Sequence, residues 1–203
     1  MKRSGLRPAW QDTVSDAADL ALLGIVAFVA SLPIVTAGAA VSAASQAVHD
    51  RHALGSLPSW RTSLGRFVRG LVPGLGATVV TLAVVALIVI DVRGLARGVV
   101  PGGGPALALT VTVIALIIGY AGLTVVAVGT GTGWRAAIRA AGALAWQRPG
   151  ALVAAGGIGV IAVLLAVAIP VTLPLVFAGW LHALHAVSAL LAARSPRPSS
   201  GRS

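Results

Sequence analysis

The sequence contains no cysteine, and only 10% of its 203 residues are charged. Without thiols there are no disulfides, no thiolate metal centres and no cysteine nucleophiles. Acidic residues number five, and none falls inside the long apolar runs. Proton- and ion-coupled transporters normally place ionisable groups within their spans, so that mechanism lacks its usual parts here. No G-x-x-x-x-G-K-[ST] loop is present to bind a nucleotide, and the glycine runs 102–104 and 129–133 are not followed by Lys-Ser or Lys-Thr. Nor is there a G-x-S-x-G elbow of the hydrolase type. Enzyme activity is not expected, and no cofactor is implied.

What the chain has instead is hydrophobicity. Apolar residues make up 57% of it and the mean hydropathy is +0.95. Soluble domains carry about 25% charged residues, whereas a helix crossing the hydrocarbon core needs roughly 20 mostly apolar ones. The reading is an all-α polytopic transmembrane helical bundle. Its spans are 20–32, 34–49, 73–90, 104–128, 149–169 and 171–193, between a polar tail at 1–19 and a disordered tail at 194–203. Asp12, Asp16 and Asp19 recur at helical spacing and suit the start of an entry helix. They also interrupt any signal-peptide reading of Lys2, Arg3 and Arg7.

The stretch 20–49 decides the topology. Thirty helical residues would extend about 45 Å, too long for one upright span and short for two. Pro33 lacks an N–H and disfavours helix at Ser31–Leu32, so a break is expected there. If the stretch crosses twice, cytoplasmic segments hold 13 basic residues and outer segments only Arg93 and Arg97; if once, the best split is 10 to 5. The positive-inside rule therefore favours six crossings with both termini cytoplasmic, five being the alternative. The second arm, Ile34–His49, carries Thr36, Ser42, Ser45 and Gln46 and cannot face lipid all round. Gly38, Ser42, Ser45 and His49 share one helical face, which suits close packing inside the bundle.

The net charge of +10 raises nucleic acid as a partner. The arginines are scattered between apolar spans, however, so anionic lipid headgroups are the expected partner and nucleic acid is not. Residues 57–72 place Leu57, Trp60, Leu64, Phe67, Val68 and Leu71 at steps of three and four, with Arg61, Arg66 and Arg69 elsewhere on the wheel. This predicts an amphipathic helix at the cytoplasmic interface. Trp134, Arg135 and Arg139 mark a second one. Trp60-Arg61 leads to Pro73-Gly74, and Trp134-Arg135 to Pro149-Gly150, at spacings of 13 and 15 residues. The recurrence fits either a parallel repeat or the ordinary chemistry of membrane boundaries.

The run Leu32-Pro33-Ile34-Val35-Thr36, followed by Gly38, resembles the signature of the YesL-like family of bacterial integral membrane proteins, whose domain has no established activity. Length, order of elements and the aromatic and basic segment after the run resemble the family too. Ala39 stands where a proline is expected after the glycine, and Gly65-Arg66 replaces a more basic aromatic motif. The resemblance implies a multi-pass protein of the bacterial inner membrane. It also implies an accessory or scaffold role in carbohydrate uptake beside an ABC transporter permease. A self-contained small-solute transporter or channel is the alternative, motivated by the polar face of 36–49.

His182 and His185 are the strongly polar residues of the last span. Two histidines at i and i+3 can share a metal, but further ligands are needed and the spans hold no carboxylate. His49 could add a third ligand, with Asp50 and His52 at the interface. The plainer expectation is a neutral pair hydrogen-bonded across helices, with no metal.

Overall fold

Pro33 interrupts the first apolar stretch as its chemistry demands. In the computed structural model, which describes residues 9–54, 58–97 and 103–193, the first helix is α1 (Ala9–Ser31). A bend at Leu32–Pro33 leads into a 3-10 turn (Ile34–Thr36) and then α2 (Ala37–Leu54). The Thr36 hydroxyl shares its proton between Ala30 O, 2.6 Å away, and Pro33 O, 2.8 Å away. It thereby supplies a donor to Ala30 O near the break and a second donor to Pro33 O, which also accepts from Thr36 N–H at 2.8 Å. α1 begins at Ala9, so Asp12, Asp16 and Asp19 lie within its first turns, as their helical spacing suggests.

The chain continues as α3 (Trp60–Ala96), α4 (Gly103–Gly129), α5 (Trp134–Gln147), α6 (Pro149–Ala168) and α7 (Leu173–Ala193), with a second 3-10 turn at Pro170–Thr172. No strand occurs among the described residues. Four helical segments are long and apolar enough to cross a membrane: Trp60–Leu95, Gly104–Gly129, Pro149–Ala168 and Pro170–Leu190. The apolar part of α1, Ala21–Ser31, is shorter.

One expectation is corrected. Residues 57–72 do not make a surface helix separate from the span that follows. Ser59 caps a helix whose first turn it holds through Thr62 N–H, 3.3 Å from its Oγ, and this helix runs unbroken through Pro73. An internal proline forfeits the bond to the carbonyl four residues back, here that of Arg69. Packing outweighs that loss, because Gly70 and Gly74 bring this part of α3 against Ala39 of α2. The second segment does separate, with α5 ending at Gln147 and Pro149 opening α6. The two stretches compared as a repeat therefore fold differently. α3 also runs on to Ala96, six residues past the end expected for the span 73–90. Leu57, residues 98–102 and the tail 194–203 lie outside the described residues, as do residues 1–8.

Three packed pairs run antiparallel: α2 with α3, α3 with α4, and α4 with α6. Gly38 meets Gly74 and Thr78 while Asp50 reaches Arg66, so α2 and α3 run antiparallel. Asp91 faces Thr110 across the α3–α4 hairpin. Gly119 lies against Leu152 and Gly156, with Gly156 against Ala115, which sets α4 antiparallel to α6. The core is small and alanine-rich: Ala27, Ala44, Val48, Val125 and Leu181 form one cluster, and Leu123, Ala141, Ala155 and Leu184 another. Small side chains let helix backbones approach closely, which replaces the hydrophobic driving force that lipid does not supply. As expected of the polar arm, Gly38, Ser42 and Ser45 are buried.

Candidate functional site

All four histidines of the chain gather where α2 and α7 pack together. His49 and His52 stand one turn apart on α2, and His182 and His185 one turn apart on α7, so each helix presents an i, i+3 pair. Ring centres lie 4.8 Å apart for His52 and His182, 5.9 Å for His49 and His185, and 6.2 Å for His52 and His185. His185 is only 5% exposed, whereas His52 is open to the surroundings. The cluster thus runs from a buried floor to an accessible rim.

Ser45 fixes the floor. Its Oγ donates to the Val125 carbonyl of α4 at 2.7 Å and lies 3.0 Å from His185 Nε2. A hydroxyl has one proton to give. With that proton on Val125 O, His185 Nε2 is the donor to Ser45, and the neutral ring keeps its lone pair on Nδ1. His182 contributes a buried Nδ1 with no hydrogen-bond partner. At the rim, burial of part of its ring, followed by repulsion from His182, Arg51 and His49, holds the His52 pKa below the ordinary imidazole value. Among the described residues no three His, Asp or Glu side chains converge on one point as a ready metal centre.

The hydrogen bonding across helices expected of the His182 and His185 pair forms for one member only: His185 bonds to Ser45 of α2, whereas His182 stacks on His52. The i, i+3 spacings were visible in the sequence, but nothing there showed that two segments 130 residues apart would meet.

The other singled-out residues build structure around this cluster. Leu32, Pro33, Ile34, Val35 and Thr36 make the turn between α1 and α2, with the side chains of Leu32, Ile34 and Val35 exposed. Gly38 seats α2 against α3: its N–H donates to Thr78 Oγ1 at 2.9 Å, and Thr78 Oγ1 donates to Gly74 O at 3.0 Å. Arg66 pairs with Asp50 at 2.6 Å, tying α3 to the α2 turn that bears His49 and His52. Arg61 sits over the exposed Trp60 ring at 5.6 Å, and Arg69 Nε donates to Gly65 O at 3.1 Å. Trp134 and Arg135 open α5, where Arg139 Nε lies 3.4 Å from Arg135 O. Tyr120 OH donates to Ile138 O at 2.8 Å and holds α5 against α4.

These features define a membrane-embedded helical bundle with a polar histidine and serine cluster between its helices. No protein-family model matches the chain, and no curated protein or solved structure does either.

Proposed function

We propose that the chain is a non-enzymatic accessory or scaffold subunit of a membrane transport system. Carbohydrate is the cargo class that the YesL-like resemblance implies. The observation that supports partner binding is the exposure of α3. Only 6% of its most apolar window is buried, and Val79, Val80, Leu87 and Ile90 are all more than half exposed. A helix apolar on every side belongs in lipid or against another protein, and this one offers most of its length to either. Two clefts, of about 240 and 340 Å³, are lined by apolar side chains except for Asp91 and Thr110 in the second. That favours a subunit acting through contacts over one carrying solute through its own polar lumen.

In this reading the bundle lies in the bacterial inner membrane with six crossings and both termini in the cytoplasm. Two features support the double crossing by α1 and α2. At 1.5 Å per residue, the 18 residues of α2 correspond to about 27 Å, close to the roughly 30 Å hydrocarbon core. The polar side chains of α2 lie largely inside the bundle, where they escape contact with lipid.

Purification of the tagged protein from its native membranes in mild detergent tests the proposal. Near-stoichiometric recovery of an ABC permease or its ATPase is expected. A protein that purifies alone, or only with itself, overturns the accessory role and shifts the reading to a self-contained transporter, to be tested by solute flux into liposomes.

A further inference from the structure

We infer that the four imidazoles of His49, His52, His182 and His185 constitute a binding site for one late first-row divalent metal ion of the zinc, nickel and copper class. The site is independent of the accessory role proposed above. Its basis is the meeting of two i, i+3 histidine pairs across one helix interface.

The spacing suits such an ion. Two imidazoles bound to one tetrahedral Zn²⁺ at about 2.0–2.1 Å hold their ring centres about 5 Å apart. Three of the ring pairs have centres 4.8, 5.9 and 6.2 Å apart, near that value, and the 4.8 Å pair, His52 and His182, is stacked, so the rings must turn before their nitrogens converge. The donor set selects the metal class, because imidazole nitrogen suits zinc, copper and nickel and is a poor match for calcium or magnesium.

The surroundings also favour a cation. The Ser45 to Val125 hydrogen bond forces the His185 Nε2–H tautomer and leaves a lone pair on Nδ1. Orientation of a ligating histidine through its other nitrogen is a common feature of metal sites. The buried, unpartnered Nδ1 of His182 gains a partner if an ion binds. α2 ends at Leu54, just past His52, and α4 ends at Gly129, whose Cα neighbourhood touches His185. The C-terminal ends of helices carry partial negative charge, and a cation between two of them is stabilised. Entry is through the exposed His52. Because the rings do not yet converge, closure requires rotation of the half-buried His49 and the exposed His52 on α2 toward the α7 pair.

The test uses the full chain, purified with a histidine-free tag, stripped of metal with a chelator and dialysed against Zn²⁺ at about pH 7.5, where imidazole ligands are deprotonated. Saturable uptake of about one Zn²⁺ per chain is expected, and Co²⁺ in its place is expected to give the visible absorption of a nitrogen-ligated tetrahedral ion. The His182→Asn/His185→Asn chain is expected to take up none. The exposed His52→Asn substitution leaves the packed floor intact and is expected to weaken Zn²⁺ binding about tenfold or more. If the doubly substituted chain does not fold, His52→Asn alone decides. The inference is overturned if the wild-type chain shows no saturable uptake, or if His52→Asn binds Zn²⁺ as tightly as wild type.

Discussion

Gly38→Ala is the most discriminating perturbation of the packing. A Cβ at Gly38 would run into the Gly74 carbonyl, approaching its carbon to 2.8 Å and Thr78 Oγ1 to 2.9 Å. These obstacles include α3 backbone, which has no rotamer to change, so the two helices must separate. Overpacking of this kind costs about 1–3 kcal/mol. Separation also strains the bond from Gly38 N–H to Thr78 Oγ1, a loss of about 0.5–1.5 kcal/mol. Replacing a helical glycine by alanine returns about 0.4–1 kcal/mol. The net expectation is a destabilisation of about 2 kcal/mol, within a range of about 0.5–4 kcal/mol. Gly76→Ala is the matched control, because a Cβ there meets nothing within 4 Å and only the gain remains. SDS-driven unfolding in mixed micelles, followed by tryptophan fluorescence, measures both. If the two variants agree to within about 0.5 kcal/mol, the close α2–α3 approach is not what holds this hairpin.

Three further outcomes follow from the same contacts. Ser45→Ala removes a fully buried hydroxyl that serves both Val125 O and His185 Nε2, and it is expected to cost about 1–3 kcal/mol in the same unfolding assay. Thr36→Val keeps the side-chain shape but leaves the Ala30 and Pro33 carbonyls without their hydroxyl donor, and it is expected to cost about 1 kcal/mol. The depressed pKa of His52 means that, as pH falls below 6.5, the unfolded chain takes up a proton that the folded chain still resists. Folded stability is therefore expected to be full above that pH and to decline below it, and His52→Gln is expected to make the unfolding midpoint less dependent on pH.

How far the sequence foretold this depended on whether a local signal decided the outcome. The bounds of α4, α6 and α7 fell within about two residues of the apolar runs, because hydropathy alone sets where such helices end. Pro33 was legible because the break it causes is settled locally, with Leu32 N–H on Val29 O and the Thr36 hydroxyl on Ala30 O. Pro73 was misread because packing offsets its missing N–H: the close approach of Gly70 and Gly74 to Ala39 is a tertiary contact, invisible to a rule about prolines. The histidine cluster was half legible. The spacing of His182 and His185 stood out, as did the nearness of His49 to the polar face, but His52 had been assigned to the interface alone. Only the packing of α2 on α7 joins the pairs. The tautomer of His185 depends on a third helix, through Val125 O, which no periodicity reports.

In the proposed topology α1 and α2 form a hairpin that crosses the membrane twice around Pro33 and carries the histidine cluster to the cytoplasmic side. It is tested most directly by cysteine labelling of a chain that has no native thiol. Ser56→Cys, between α2 and α3 and outside the described residues, and Arg97→Cys, at the far end of α3, are exposed in turn to a membrane-impermeant thiol reagent. The account predicts that in intact cells Arg97→Cys is labelled and Ser56→Cys is not, with Ser56→Cys becoming reactive once the membrane is opened. Labelling of Ser56→Cys in intact cells would contradict it.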